Sequence, residues 1–245
     1  MGVTTVNASY QGAVSKFASG QLLTWSTDVR NQTVGSIATT YNTSTTANAI
    51  SVAASTGLRG ASASLARCFL FFDLSSITET ITDITLKVYG ASGGGNLNDT
   101  IPVESTAWGG DGTSTSMTTA MYNDLDFSTA YGLAKTAWTG GGYNDYVLNS
   151  TAVSDANTNG YINIALIDED ADYSNNSPTF NPSTSRSYSI EFNSLLNLNK
   201  VEVTTASGFN DKILDRSPAE GAGGGFIRVN DVVLGAIGKV NDVGE

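Results

Sequence analysis

Residues Ala66–Leu74 read ARCFLFFDL. In an extended chain alternate side chains point to opposite sides, which puts Cys68, Leu70, Phe72 and Leu74 on one face and Arg67, Phe69, Phe71 and Asp73 on the other. Large apolar residues on both faces mark a strand covered on both sides, near the middle of a β-structure. A helix would scatter the same residues around its whole circumference.

The neighbouring sequence agrees with a β-rich chain. Ser75 and Ser76 open a turn, and Ile81–Tyr89 (ITDITLKVY) alternates apolar and polar as a half-exposed partner strand. Ala49–Ala54, Thr100–Ser105, Tyr146–Asn149, Gly160–Asp168, Arg186–Phe192 and Lys200–Thr205 read as further strands. The total is about eight, the usual number for a jelly roll. Thr151–Asn157 (TAVSDAN) predicts one or two helical turns. The expected class is all-β: a jelly-roll-like antiparallel β-sandwich over residues 48–206. Residues 1–47 form an N-terminal arm with weak first strands, and residues 207–245 a Gly-linked tail. Trp108–Gly142 has little periodicity and reads as a long excursion, a type of loop that often carries function.

Composition narrows the chemistry. Histidine is absent, which removes Ser-His-Asp triads, Cys-His pairs and HExxH zinc sites together. The 12 basic residues are dispersed against 23 acidic ones, for a net charge of −11. Without a Lys/Arg cluster to displace phosphate counterions, nucleic acid is not an expected partner. No apolar run approaches the roughly 18 residues of a membrane span, so no membrane partner is expected either. The lone cysteine, Cys68, can form no intrachain disulfide and sits in the buried strand, where it reads as a small hydrophobe. Met1–Gln11 lacks the basic and apolar regions of a signal peptide, although the polar, Gly-rich composition looks extracellular. Folding in a cytosol followed by life outside a cell reconciles the two, as for a virion protein; a signal peptide removed before this numbering is the other way.

Three sets of residues are candidates for binding. Asp168, Asp170 and Asp172 alternate in DEDADYSNN, a spacing that can wrap oxygens round calcium. Tyr173 and Thr179 stand where an EF-hand needs glycine and glutamate, so a solvated acidic loop is the competing reading. Trp25, Trp108 and Trp138 offer flat faces for sugar contact, or else core anchors. Phe226–Val232 (FIRVNDV) recurs as Ile237–Val243 (IGKVNDV) eleven residues on. The repeat offers Phe226, Val229 and Val232, then Ile237, Val240 and Val243, as two apolar stripes for docking on a neighbouring subunit. The GAGGG before it is a flexible link. No catalytic or cofactor-binding residue is selected by any pattern, although 23 acidic residues leave a paired-carboxylate glycosidase open.

Arg67–Gly90 (RCFLFFDLSSITETITDITLKVYG) resembles the DNRLRE-like β-sandwich family of bacteria and phages, through Arg67, Phe72, Asp73, Leu74, Ser75, Ser76, Ile77, Ile81, Thr82, Leu86 and Tyr89. Leu148–Leu166 (LNSTAVSDANTNGYINIAL) is similar to that family's short helix and following strand. The tail resembles K-V-N-G-V repeats at the ends of phage head and tail proteins, with Asp231 and Asp242 in the glycine's place. These resemblances imply a non-enzymatic bacteriophage structural protein located in the virion. Its implied partners are other virion proteins in an oligomer or lattice, together with a host-surface glycan. The alternatives are a carbohydrate-binding adhesion module of a bacterial surface protein and a tail-spike glycosidase.

Overall fold

The computed structural model describes residues 2–95, 99–193 and 196–206, together with the strand residues 227–229 and 232–234. The chain divides into two compact units, Met1–Ser207 and Gly208–Glu245.

The first unit is all-β, a twelve-stranded antiparallel sheet that folds over into a sandwich. Its centre is β5 (Gly60–Asp73), which contains the ARCFLFFD stretch. One edge of β5 is paired by β2 (Tyr10–Gly20) from Phe71 to Ala61. The other edge is shared end to end by β10 (Tyr161–Asp168), opposite Asp73–Cys68, and β4 (Thr45–Gly57), opposite Ala66–Gly60. Both edges are therefore paired along most of their length. β7 (Thr100–Ser105) and β8 (Leu125–Ala130) extend this layer beyond β10, and β3 (Ile37–Thr40) extends it beyond β2.

The opposing layer contains β1 (Gly2–Asn7), β6 (Ile81–Gly95), β9 (Gly142–Val147) and β12 (Lys200–Thr205). β11 (Thr184–Phe192) joins the layers, pairing β4 on one side and β6 on the other. Its ladders shift register at Tyr188/Ser189 and at Ser189/Ile190. A bulge bends a strand, and bends of this kind let one strand serve two sheets. Although consecutive in the chain, β5 and β6 are not partners. The turn after Asp73, where Asp73 Oδ1 accepts from Ser75 N–H at 2.9 Å, leads from one layer to the other. The expectation that Ile81–Tyr89 pairs beside ARCFLFFDL is corrected on this point.

Two cores result. Cys68, Leu70, Phe72, Ile162, Ile164 and Leu166 of one layer pack against Ile84, Leu86, Ile190, Val201 and Val203 of the other. On the outer face of β5, Leu65, Phe69 and Phe71 join a second cluster with Val52, Ile101, Val103 and Ile167. That face is roofed by irregular segments, through Trp25 and Val29, Ala107, Trp108, Met117, Met121 and Tyr122, and Ala171. The Trp108–Gly142 excursion thus supplies much of the roof of the second core, which explains its lack of period. Among the described residues the one α-helix, α1 (Ser150–Asn159), starts where the Asn149 side chain accepts from Ala152 N–H and ends at Gly160, whose φ of 72° closes it.

The N-terminal residues are integral to the sandwich rather than an arm. β1 pairs β12 from Gly2↔Thr205 to Asn7↔Lys200, and β2 runs eleven residues along the central strand.

The second unit contains a short hairpin, β13 (Ile227–Val229) and β14 (Val232–Leu234), with Val229 opposite Val232.

Candidate functional site

The acidic loop after β10 faces two arginines. Asp168 accepts two hydrogen bonds from Arg186, at 2.7 and 2.8 Å, and caps the next turn by accepting from Ala171 N–H. Arg186 also reaches Asp170 at 3.2 Å. Asp172 receives Arg67 in a two-pronged contact, 2.8 Å from Nε and 2.7 Å from the terminal nitrogen. Arg67 donates further to the carbonyls of Tyr122 and Arg30, and its guanidinium lies 4.1 Å from the Tyr122 ring centroid. Desolvation lowers the affinity of Arg67 for its proton, but the Asp172 charge, Tyr122 and the hydrogen bonding to Asp172 together outweigh it and hold the guanidinium above its ordinary range. Arg30 shifts the other way, because its desolvation outweighs Asp172 and Arg67 repels it.

These contacts fit neither the calcium candidate nor the competing solvated-loop reading, since Asp168 and Asp172 are buried against arginines. The alternate carboxylates do not converge on one point: Asp168 and Asp170 meet Arg186, and Asp172 meets Arg67 and, at 3.7 Å, Arg30. Among the described residues no three His, Cys, Asp or Glu side chains gather as a metal-ligating group. The arginines act as struts that tie the roof segments at Arg30, Tyr122 and Asp172 to the sheet.

Of the two readings of the tryptophans, the burial favours core anchors over sugar contact. Trp25, Trp108 and Trp138 are 2%, 0% and 9% exposed, so none presents a ring face to a ligand. Trp25 Nε1 donates to Ala171 O and Trp138 Nε1 to Ser92 O, as buried indoles do. Val229 and Val232 of the tail stand opposite each other in the hairpin; Phe226, Ile237, Val240 and Val243 lie outside the described residues.

The accessible aromatic surface lies elsewhere, where β2, β5 and β10 run side by side. Registers Tyr10↔Phe71, Asn163↔Phe71 and Tyr161↔Asp73 bring these residues to neighbouring rungs. The Tyr10 and Phe71 ring centroids are 5.8 Å apart and those of Phe71 and Tyr161 5.4 Å, while Trp108 backs Tyr10 at 5.6 Å. Phe71 is buried, whereas Tyr10 and Tyr161 are half-exposed. Gly112 presses on the Phe71 ring so closely that a Cβ there would stand 2.6 Å from it, and its φ of 78° is one that L side chains rarely adopt.

Around these rings opens a groove of about 300 Å³, edged by Asp73, Ser75, Asp111 and Asn159. A second depression of about 530 Å³ shares Ser9 and Tyr10 with it, and is lined by Gln11, Thr40, Tyr41, Asn42, Ser116 and Asn193, among others. Tyr41 is fixed there by stacking on Phe192 at 4.1 Å and by Asn193 Nδ2, which donates to its carbonyl. The hydrogen bonds from Ser75 hold the Asp73 carboxyl below its ordinary range, so it stays charged. A carboxylate held below its ordinary range accepts hydrogen bonds well and serves poorly as a general acid.

Of these residues sequence reasoning placed only Phe71 and Asp73 on their face. Tyr10, Tyr161 and Asp111 were missed because strand register, not local pattern, unites them. The Asp111–Gly112 pair was the available signal for a turn.

The chain matches no family model and no curated protein.

Proposed function

We propose that the chain is a non-enzymatic structural protein of a bacteriophage particle, exposed on the capsid or tail, in which the sandwich is displayed and the C-terminal unit attaches it to neighbouring virion subunits. The observation that carries this reading is the division at Ser207/Gly208 into a self-contained sandwich and a separate unit bearing both V-N-D-V copies. In the sandwich, the most deeply buried carboxylates, Asp168 and Asp172, are held in arginine struts, a load-sharing use of charge. Such pairs favour a stiff fold with one packing arrangement. The resemblance of the tail to phage repeats supplies the particle, and a lattice supplies the partner.

The test is assembly. Particles grown with the chain lacking residues 208–245 are purified and their protein content measured by mass spectrometry. The truncated protein should be folded and soluble but missing from particles. Normal occupancy would sink the attachment role, and absence of the full-length chain from particles would sink the virion reading.

A second reading, contact with a surface glycan, is favoured by the aromatic groove and is developed below.

A further inference from the structure

We propose that the groove between Tyr10 and Tyr161 binds an uncharged oligosaccharide, with the two tyrosine rings as stacking platforms and Asp73 and Asp111 as acceptors for sugar hydroxyls. The inference does not depend on where the C-terminal unit attaches.

Pyranose rings carry one face of C–H groups and an edge of hydroxyls, so a site for them needs flat apolar surface flanked by fixed polar groups. Tyr10 and Tyr161 supply the surface. Phe71 lies against both and Trp108 backs Tyr10, so these rings are already ordered and binding costs little side-chain entropy. Asp73 and Asp111 supply the acceptors. Asp73 Oδ1 is oriented by Ser75 N–H, and Asp111 Oδ1 by Thr113 N–H at 3.1 Å, which leaves lone pairs on both carboxylates for O–H donors. A hydroxyl donating to a carboxylate makes one of the stronger hydrogen bonds available to a neutral ligand.

Charge selects the ligand class. No Lys or Arg lines either depression, and the first carries two carboxylates. A sialylated or uronate-containing glycan would be repelled there. The second depression contains amides and hydroxyls with no charged side chain, which fits further uncharged sugar units better than a cationic peptide. Volumes of about 300 and 530 Å³ lie within the range of ligand sites, and the shared Tyr10 makes one chain of sugars able to span both.

The test uses the full chain on arrayed neutral, sialylated and uronate-containing glycans, followed by calorimetry with the neutral oligosaccharide retained best. Binding should be confined to neutral glycans and should change little between about 50 and 500 mM salt, since no charge pairing is involved. Tyr10→Ala and Tyr161→Ala should each weaken it more than tenfold, while Val147→Ala, at an exposed position on β9 that lines neither depression, leaves it unchanged. Asp111 is exposed and outside both cores, so Asp111→Asn keeps the question answerable if a tyrosine variant fails to fold; it too should weaken binding several-fold. Retention of no glycan, retention of anionic glycans only, capture of oligolysine in their place, or neutral-glycan binding indifferent to these substitutions would each overturn the proposal.

Discussion

Arg67 and Asp172, 105 residues apart in the chain, face each other as a two-pronged ion pair with no exposed side-chain surface on either member. Arg67 stands on the central strand and Asp172 in the roof, so the pair crosses the second core. Taking two charges out of water is costly, and leaving one of them unpartnered is costlier. Asp172→Asn should therefore destabilise the sandwich by about 3–5 kcal/mol. Arg67→Lys should recover little, because an ammonium cannot span both carboxylate oxygens and the Tyr122 and Arg30 carbonyls. The double change Arg67→Met with Asp172→Leu should cost less than Asp172→Asn alone. Urea denaturation of the parent and the three variants checks this, and a double variant less stable than Asp172→Asn would show that the cost does not come from an unpartnered buried charge.

The first core yields a simpler expectation. Phe72 is fully buried between the layers, among the largest such side chains, and its removal leaves a cavity. Phe72→Ala should cost about 3–5 kcal/mol. Val147, 73% exposed on β9, provides the contrast: Val147→Ala should stay within about 0.5 kcal/mol. Equal losses at the two positions would contradict the placement of the core.

The double-sided strand was legible because its pattern is local: nine residues alternate with large apolar groups on both faces. Thr100–Ser105 and Lys200–Thr205 were legible residue for residue for the same reason. β2 was not. YQGAVSKFASG has few large apolar residues, and what holds it in place is an eleven-residue backbone ladder against a strand some fifty residues away. Backbone pairing leaves almost no side-chain signature. The arginine struts escaped for a related reason: Asp168 and Asp172 are spaced like a cation loop, and only tertiary contact reveals that the cations are Arg186 and Arg67. The tryptophans stayed open between platforms and core anchors because an isolated Trp looks alike in a roof and on a surface. Tyr10 and Tyr161, two rings that do reach the surface, gave no pattern at all.

Glu104 gives a pH-dependent expectation. Burial raises its carboxyl above the ordinary value of 4.5, and the nearby Asp155 and Asp126 charges raise it further. A carboxyl whose affinity for the proton is higher in the folded state favours folding most when protonated, so the native protein loses that contribution as pH climbs through and beyond 4.5. Glu104→Gln keeps the shape without the charge. The variant should melt higher than the parent at pH 7, and the difference should vanish in acid below pH 4.5. A variant less stable than the parent at pH 7 would mean that the Glu104 carboxylate has a favourable partner in solution.

The last expectation concerns the sandwich by itself. Every described strand pairing of the first unit closes between Gly2 and Thr205, and β1 and β12 pair with each other across that span. Among the described residues, both cores are built from residues before Ser207. A chain ending at Ser207 therefore keeps all of the buried apolar surface described for this unit, and burial of such surface is the dominant favourable term in folding. It should unfold in one cooperative transition, with a melting temperature within about 2–4 °C of the same transition in the full chain, the shift that a change of 1 kcal/mol produces at this size. Circular dichroism on heating, followed near 218 nm for the strands and in the near ultraviolet for the buried tryptophans, reads both levels of structure. If the near-ultraviolet signal were lost while strand content survived, the C-terminal unit would be completing the core, and the boundary at Ser207 would have to be redrawn.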